Sequence, residues 1–165
     1  MAAIAPADAF RAGSNRVDVF VVRGRGSGRT LAAVTTNAGT EYRLVERDGV
    51  TAIEGDGRRT EVRKGRLAGY VDRFLRDDQG VRLGGWAADL VEHRPAERIL
   101  VFAGDRLVGQ GEPSLERPDV ATNLGANARQ SGYEVRVPLE GGDPGALRVF
   151  AVSGGAAAEL PRWKG

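Results

Sequence analysis

The single histidine of the chain, His93, stands in Glu92-His93-Arg94 directly before Pro95, and any acid–base chemistry has to be built from it and from carboxylates. An imidazole titrates near neutral pH, but it carries protons usefully only when a partner orients it. His93 has polar neighbours and lies between apolar runs, so an exposed loop histidine is expected. The acidic candidates are Asp77-Asp78 and the pair Asp89 with Glu92. A glycosidase dyad or a calcium loop would draw on such groups. A calcium loop, however, needs oxygen ligands at alternate positions around a glycine with a distal glutamate, and neither pair has a supporting spacing. The chain has no cysteine, which removes thiolate nucleophiles, sulfur metal sites and disulfides together. Gly24-Arg25-Gly26-Ser27-Gly28-Arg29-Thr30 follows an apolar run and imitates a phosphate-binding turn, since glycine-rich turns present backbone N–H groups. A P-loop requires Gly at position 23 and Lys at 29, where the chain has Arg23 and Arg29, and a dinucleotide loop requires Gly or Ala at 29. A flexible Gly/Arg hairpin loop is expected instead. Non-catalytic use follows as the expectation, with no metal and no cofactor.

Four residues have side chains suited to holding a ligand: Trp86, Asp89, Arg117 and Asp119. Each also has a purely structural use. Trp86 sits between Gly85 and Ala87, small neighbours that let a large ring pack, so it is expected as a core plug, with a sugar-stacking platform as the second reading. Asp72 and Asp89 fall near the ends of paired strands, where a carboxylate accepts backbone N–H bonds in a turn. Arg117 and Asp119 bracket Pro118, and a pinned loop is expected, with Asp119 capping a turn at 120–124 and Arg117 pairing locally.

The elements that carry these residues read as strands. Short apolar runs are separated by Gly, Asp and Pro at about the 8–12 residue spacing of a sandwich or barrel. Residues 16–23 (RVDVFVVR) form a nearly continuous apolar run, with 30–35 as its hairpin partner. Asp48-Gly49 and Gly55-Asp56-Gly57 supply the positive-φ positions of tight turns, so 40–64 reads as a meander. Strands are expected at 67–75 and 81–90, and a hairpin joins 99–102 to 106–110. Residues 133–139 alternate Tyr133, Val135 and Val137 inward against Glu134 and Arg136 outward, the period of a strand with one wet face. Residues 146–153 follow, and 159–160 could begin a last strand. Only 118–124 could form a helical turn in this half.

Composition excludes further classes. The chain has 165 residues, 24 Lys+Arg against 22 Asp+Glu, and 24 Gly, a soluble, turn-rich pattern long enough to bury a core without disulfides. Residues 1–66 carry 12 basic and 8 acidic side chains and residues 67–165 carry 12 and 14. That asymmetry is too small, and too poor in interleaved aromatics, for nucleic-acid binding. No run of about 18 apolar residues and no basic-then-apolar leader is present, so no transmembrane segment and no export signal are expected in the chain as given.

An internal echo organises the chain. Val17-Asp18-Val19-Phe20-Val21-Val22 aligns with Leu147-Arg148-Val149-Phe150-Ala151-Val152, and each run leads through a glycine turn to a polar residue followed by Leu, at Thr30-Leu31 and Glu159-Leu160. The echo suggests that the chain opens on the closing strands of one sandwich and contains a second. On that reading the two segments should hold equivalent places in their sheets.

Five short motifs appear in order: Gly69-Tyr70-Val71-Asp72, Gly85-Trp86-Ala87-Ala88-Asp89, Arg117-Pro118-Asp119-Val120-Ala121, Gly132-Tyr133 and Val137-Pro138. Together they resemble an uncharacterised β-sandwich module of larger bacterial envelope and polysaccharide-related proteins, over roughly residues 67–160. The resemblance implies a non-catalytic accessory domain, extracytoplasmic (periplasmic or cell-surface), with a polysaccharide or an envelope protein as partner; composition by itself fits a cytoplasmic protein equally well. It supplies no catalytic residues.

The expected fold is all-β: an immunoglobulin-like or jelly-roll-like sandwich at 67–165, preceded by a partial β-module at 1–66, with the boundary at Gly65-Arg66. Residues 16–23 should be a central strand, and the charged 40–64 hairpins an edge. Glycan binding would use loops 92–97, 112–119 and 124–131. The alternative functions are a structural subunit joined to a neighbour through a sheet edge and, less favoured, a fragment of a carbohydrate-active enzyme, which would need convergent titratable groups in one pocket.

Overall fold

The structure is a computed structural model that describes residues 13–22, 28–38, 42–78, 80–138 and 144–162. Residues 24–27 of the expected glycine turn, 140–143 before the last long strand, and Trp163 lie outside these. The chain is all-β, and its tight turns fall where the sequence supplies residues that tolerate positive φ. Asp48-Gly49 (φ 54° and 75°), Asp56-Gly57 (53° and 69°) and Gly154-Gly155 (55° and 75°) each close a hairpin.

The chain forms two units, Met1–Glu41 and Tyr42–Gly165. The first contains β1 (Gly13–Val22) and β2 (Gly28–Ala38), paired antiparallel as a two-stranded sheet with a register shift between Val19 and Phe20. The expectation of a central strand at 16–23 is therefore corrected: β1 pairs with β2 alone among the described residues. A continuous apolar run specifies what a strand can bury, and it does not specify how many neighbours the strand has. The echo is also resolved. Phe20 lies opposite Thr30 and Phe150 opposite Glu159, so the two hairpins pair the aligned residues alike. Their sheet positions nevertheless differ, because the second hairpin is flanked by a further strand, and the reading of two equivalent closing segments is not met.

In the second unit the strands are β3 (Arg43–Arg47), β4 (Val50–Gly55), β5 (Arg58–Glu61), β6 (Leu67–Asp77), β7 (Gly80–Asp89), β8 (Arg94–Pro95), β9 (Arg98–Ala103), β10 (Arg106–Gly111), β11 (Gly132–Val137), β12 (Leu147–Ser153) and β13 (Ala156–Glu159), with one α-helix, α1 (Pro118–Leu124). Seven strands form one sheet in the order β13-β12-β9-β10-β3-β4-β5, and β11-β7-β6 form the other, with β8 paired to the end of β7. Gly65-Arg66 is the bend between β5 and β6, and the meander of β3 to β5 continues the sheet that holds β9 and β12.

The two sheets pack face to face over a core of Leu67, Val71, Val81, Leu83, Ile99, Val101, Tyr133, Val135, Val137 and Val149 with their neighbours. β9 and β12 are buried on both faces. Ile99 and Val101 face this core, while Leu100 and Phe102 face a second one with Tyr42, Leu44, Ile53, Phe150 and Ala157. Double burial explains why 99–102 and 149–152 are apolar without alternation, whereas β11 alternates. Phe102 meets Phe150 edge-on, ring centroids 5.6 Å apart at 81°, an arrangement contributing about 1 kcal/mol beyond area burial.

The second core lies inside a curl. Val62, just past β5, is bridged in parallel to Ala157 of β13, so the first and last strands of the seven-stranded sheet meet. The charged 40–64 hairpins do form the end of the strand order, as expected, but that end is joined rather than open. Two arginines stand at opposite ends of this core, since Arg98 pairs in register with Val152 and Arg148 with Phe102. Arg148 grips Glu159 with Nε and Nη2 (2.9 and 2.8 Å) and reaches Glu46 with Nη1 (2.7 Å). At the other end Arg98 donates to Tyr42 Oη (2.6 Å), which in turn donates to Asp56. The Tyr42 ring lies where a side chain on residue 55 would stand, so only glycine fits there.

Candidate functional site

The site begins with the pleat of β7. Val81, Leu83 and Ala87 point into the inter-sheet core, so Trp86 points the other way and is half-buried on the outer face. This corrects the expectation of a core plug. The inward place beside it belongs to Tyr133, which is 1% exposed and whose hydroxyl donates to the Tyr70 carbonyl (3.3 Å). Gly85 permits that route, because a Cβ there would collide with both the Tyr70 carbonyl and the Tyr133 hydroxyl. Burial, above all, pushes the Tyr133 hydroxyl well above the ordinary tyrosine pKa; Asp72 adds to the rise and Arg117 opposes it. On the outer face Trp86 lies opposite Tyr70 in register, with ring centroids 6.0 Å apart and tilted by 54°.

The segment between β10 and β11 folds back over this face. Leu115 bridges Gly132, and the Arg117 amide donates to the Arg129 carbonyl (2.7 Å). α1 then starts at Pro118, whose fixed φ and missing N–H suit a first helical turn. Val120 and Leu124, one turn apart, present an apolar edge. Trp86, Leu90, Val120 and Leu124, with Asp119 and Asn123, line an open hollow of about 280 Å³.

Arg117 fixes the hollow's acidic side. Its Nε and Nη2 form a fork with Asp119 (2.9 and 2.7 Å), and its Nη1 reaches Asp72 (2.5 Å). Asp72 is available because the β6–β7 register shifts between Val71 and Arg73, leaving it as the extra residue of a bulge that re-aims a side chain. The Arg117 fork, first of all, holds the Asp119 carboxyl down at about 2, and the Asp119 and Val120 amides assist. Arg117 is correspondingly held above its ordinary value by Asp119 and Asp72. Local pairing of Arg117 with Asp119 is as expected. Asp119 does not cap the turn, however: the helix begins two residues earlier than expected, at Pro118, Arg117 occupies the cap position, and Asp119 lies in the first turn.

Asp89 is elsewhere and serves the fold. It is fully buried, accepts from the Val91 and Glu92 amides (3.0 and 3.1 Å), and pairs with Arg66 (3.0 Å). Burial, the largest single influence, pushes its pKa up. The Glu92 amide and the Arg66 guanidinium, with the Val91 amide, more than offset this and hold it below the usual carboxylate value. Of the four candidates, then, Trp86 and Asp119 line the hollow, Arg117 positions Asp119, and Asp89 pins a turn. Asn123, Leu90 and Leu124 were not picked out from sequence; the one available signal was the Val120/Leu124 spacing after Arg117-Pro118.

His93 is exposed in a turn at φ 50°. Asp77 pairs with Arg136 (3.0 Å) and Arg82 (3.7 Å). Among the described residues no His, Asp and Glu side chains group as metal ligands, and no helix is long and apolar enough to cross a membrane. Compared with known protein families, with curated proteins and with solved structures, the chain gives no match.

Proposed function

We propose that the chain is a non-catalytic, extracytoplasmic β-sandwich module of the bacterial cell envelope that binds a glycan in the hollow beside Trp86. The observation that carries this reading is the placement of Trp86: a tryptophan held out of both cores, on the wall of an open hollow, with the carboxylate of Asp119 and the amide of Asn123 beside it. A sugar ring offers C–H groups to an aromatic face and hydroxyls to such polar groups, and sites of this kind combine apolar walls with a few placed polar atoms. The apolar walls are contributed by α1 and Leu90, close to the loops expected to face a ligand. The envelope setting rests on the resemblance that the five sequence motifs carry.

The test is a screen of the 165-residue chain against envelope polysaccharides in a Trp163→Phe background, so that fluorescence reports Trp86. Saturable quenching by one glycan, lost in a Trp86→Leu variant that keeps its urea midpoint, is expected. No response to any polysaccharide would overturn the reading. Assembly through a sheet edge is the second reading, favoured by one observation: β1 and β2 form a sheet of two strands, and such hairpins are marginal alone. A concentration-dependent oligomer by size-exclusion chromatography, without glycan quenching, would support it.

A further inference from the structure

The walls of the hollow carry one formal charge, and it is negative. Asp119 supplies it, and none of the other lining residues (Trp86, Leu90, Val120, Asn123 and Leu124) is ionisable. Its partner Arg117 does not line the hollow; it donates through Nε and Nη2 to Asp119 and through Nη1 to Asp72, so one guanidinium is shared by two carboxylates and the cluster stays net negative. Asn123 adds an acceptor. Its Nδ2 donates to the Asp119 backbone carbonyl (2.9 Å); a carbonyl can only accept, so the amide orientation is fixed and Oδ1 is left as an acceptor with no partner among the described residues. Trp86 contributes a π face, which attracts cations.

All three groups therefore favour one kind of ligand atom, a cationic donor. Resting on the glycan reading above, we propose that the hollow prefers an amino sugar with a free ammonium group over its neutral, N-acetylated or acidic counterparts. An ammonium gains attraction from Asp119, a hydrogen bond to Asn123 Oδ1 and the Trp86 face. A hydroxyl at the same place can make the hydrogen bonds but brings no charge. An acetamide removes the charge and adds bulk. A uronate places a second carboxylate against Asp119, and the hollow has no cation of its own to offset the repulsion.

The test is titration of the Trp163→Phe chain at pH 6 with oligosaccharides of glucosamine, N-acetylglucosamine, glucose and galacturonic acid, read by Trp86 fluorescence. Glucosamine oligomers are expected to bind about fivefold more tightly than glucose oligomers, a gain of the size one favourable exposed charge interaction gives. N-acetylated oligomers should be weaker, and galacturonate should give no saturation. Raising the pH above the pKa of the sugar amine should erase the advantage. Asp119→Asn should bring glucosamine down to the glucose level while leaving glucose within about twofold; if glucose binding is lost as well, the pH profile of the unsubstituted residue decides. Asp105→Asn, which removes an exposed carboxylate in the β9–β10 turn, outside the hollow and outside the loops expected to face a ligand, should change nothing, and an equal loss there would assign the effect to general charge and overturn the proposal. Equal affinity for glucosamine and glucose, or tighter binding of galacturonate, would overturn the preference while leaving a glycan-binding hollow. Silence toward all four and toward the wider polysaccharide screen would overturn both.

Discussion

Val62 is bridged to Ala157 across the two ends of the seven-stranded sheet, although 94 residues separate them in the chain. The bridge, just past β5, meets β13 in parallel, as Val71 meets Arg162 in a second isolated bridge, whereas the strand ladders among the described residues are antiparallel. It has two consequences. It leaves neither end strand of that sheet fully open, which limits edge-to-edge association, and it seals the second core, because Val62 and Ala157 both pack against Leu100, Phe102 and Phe150.

The hydrogen bond that holds this closure runs from the Arg63 amide to the Ala157 carbonyl (2.8 Å). Arg63→Pro deletes the donor and leaves a carbonyl without its partner on a residue that is 1% exposed. A loss of about 1–3 kcal/mol in unfolding free energy is expected by urea denaturation. Arg63→Ala, by contrast, removes only a side chain that is 78% exposed and should change stability by less than about 0.5 kcal/mol. Equal effects of the two would show that the amide does not close the sheet.

Ser153 ends β12 just before the Gly154-Gly155 turn, and its hydroxyl is buried with no partner among the described residues. A hydroxyl in that state costs its desolvation and returns nothing. Ser153→Ala should therefore be neutral or stabilising, by up to about 1 kcal/mol, with a raised thermal midpoint. A loss of more than about 1 kcal/mol would reveal an interaction made by that oxygen.

The parts of this fold that were legible in the sequence are those fixed by single residues or by short periods. Asp48-Gly49 and Asp56-Gly57 announce their turns because only such residues accept positive φ there. Tyr133, Val135 and Val137 announce a half-buried strand. β9 and β12 could be seen as strands, but not as strands covered on both faces, since the second layer is the distant β3 to β5 meander. The site was less legible. Gly85 and Ala87 around Trp86 are compatible with either face of the sheet. Only the register with β6 and β11, which sends Tyr133 beneath Gly85, turns Trp86 outward. The Arg117–Asp72 pair spans 45 residues and depends on a bulge at Asp72 that no local pattern marks.

Asp89 should be among the costliest polar residues to replace. It is fully buried and joins Arg66 to the Val91 and Glu92 amides, so Asp89→Ala orphans three donors at once. A loss of about 3 kcal/mol is expected. Arg66→Ala leaves the two amide bonds in place, and the Arg66 side chain is 37% exposed, so about 1–2 kcal/mol is expected there. In a double-mutant cycle Arg66→Ala should cost little once Asp89→Ala is made, while Asp89→Ala in the Arg66→Ala background should still cost the two amide bonds. Strict additivity would exclude coupling between the two side chains.

The Asp119 carboxyl gives the fold a specific acid response. Its folded pKa of about 2 lies below the ordinary 3.8 because Arg117 binds the ionised form. A depressed acid contributes stability that is fully present above its unfolded value and is lost as the pH falls through the folded one. The window is therefore from about 3.8 down to about 2. Because the Asp119 side chain is 63% exposed, solvent screening limits the contribution to about 1 kcal/mol. The chain has many other carboxylates, so the measurement is a difference: urea unfolding of the parent and of Asp119→Asn at a series of pH values. The gap between them should be about 1 kcal/mol at neutral pH, hold level down to the top of that window, and close toward its bottom, where both side chains are neutral. Arg117→Ala should remove most of the pH dependence of the gap, because the positive charge that chiefly lowers the carboxyl is then gone and only the Asp119 and Val120 amides remain. A gap that persisted below the window would mean that Asp119 supports the fold through packing in α1 rather than through its charge.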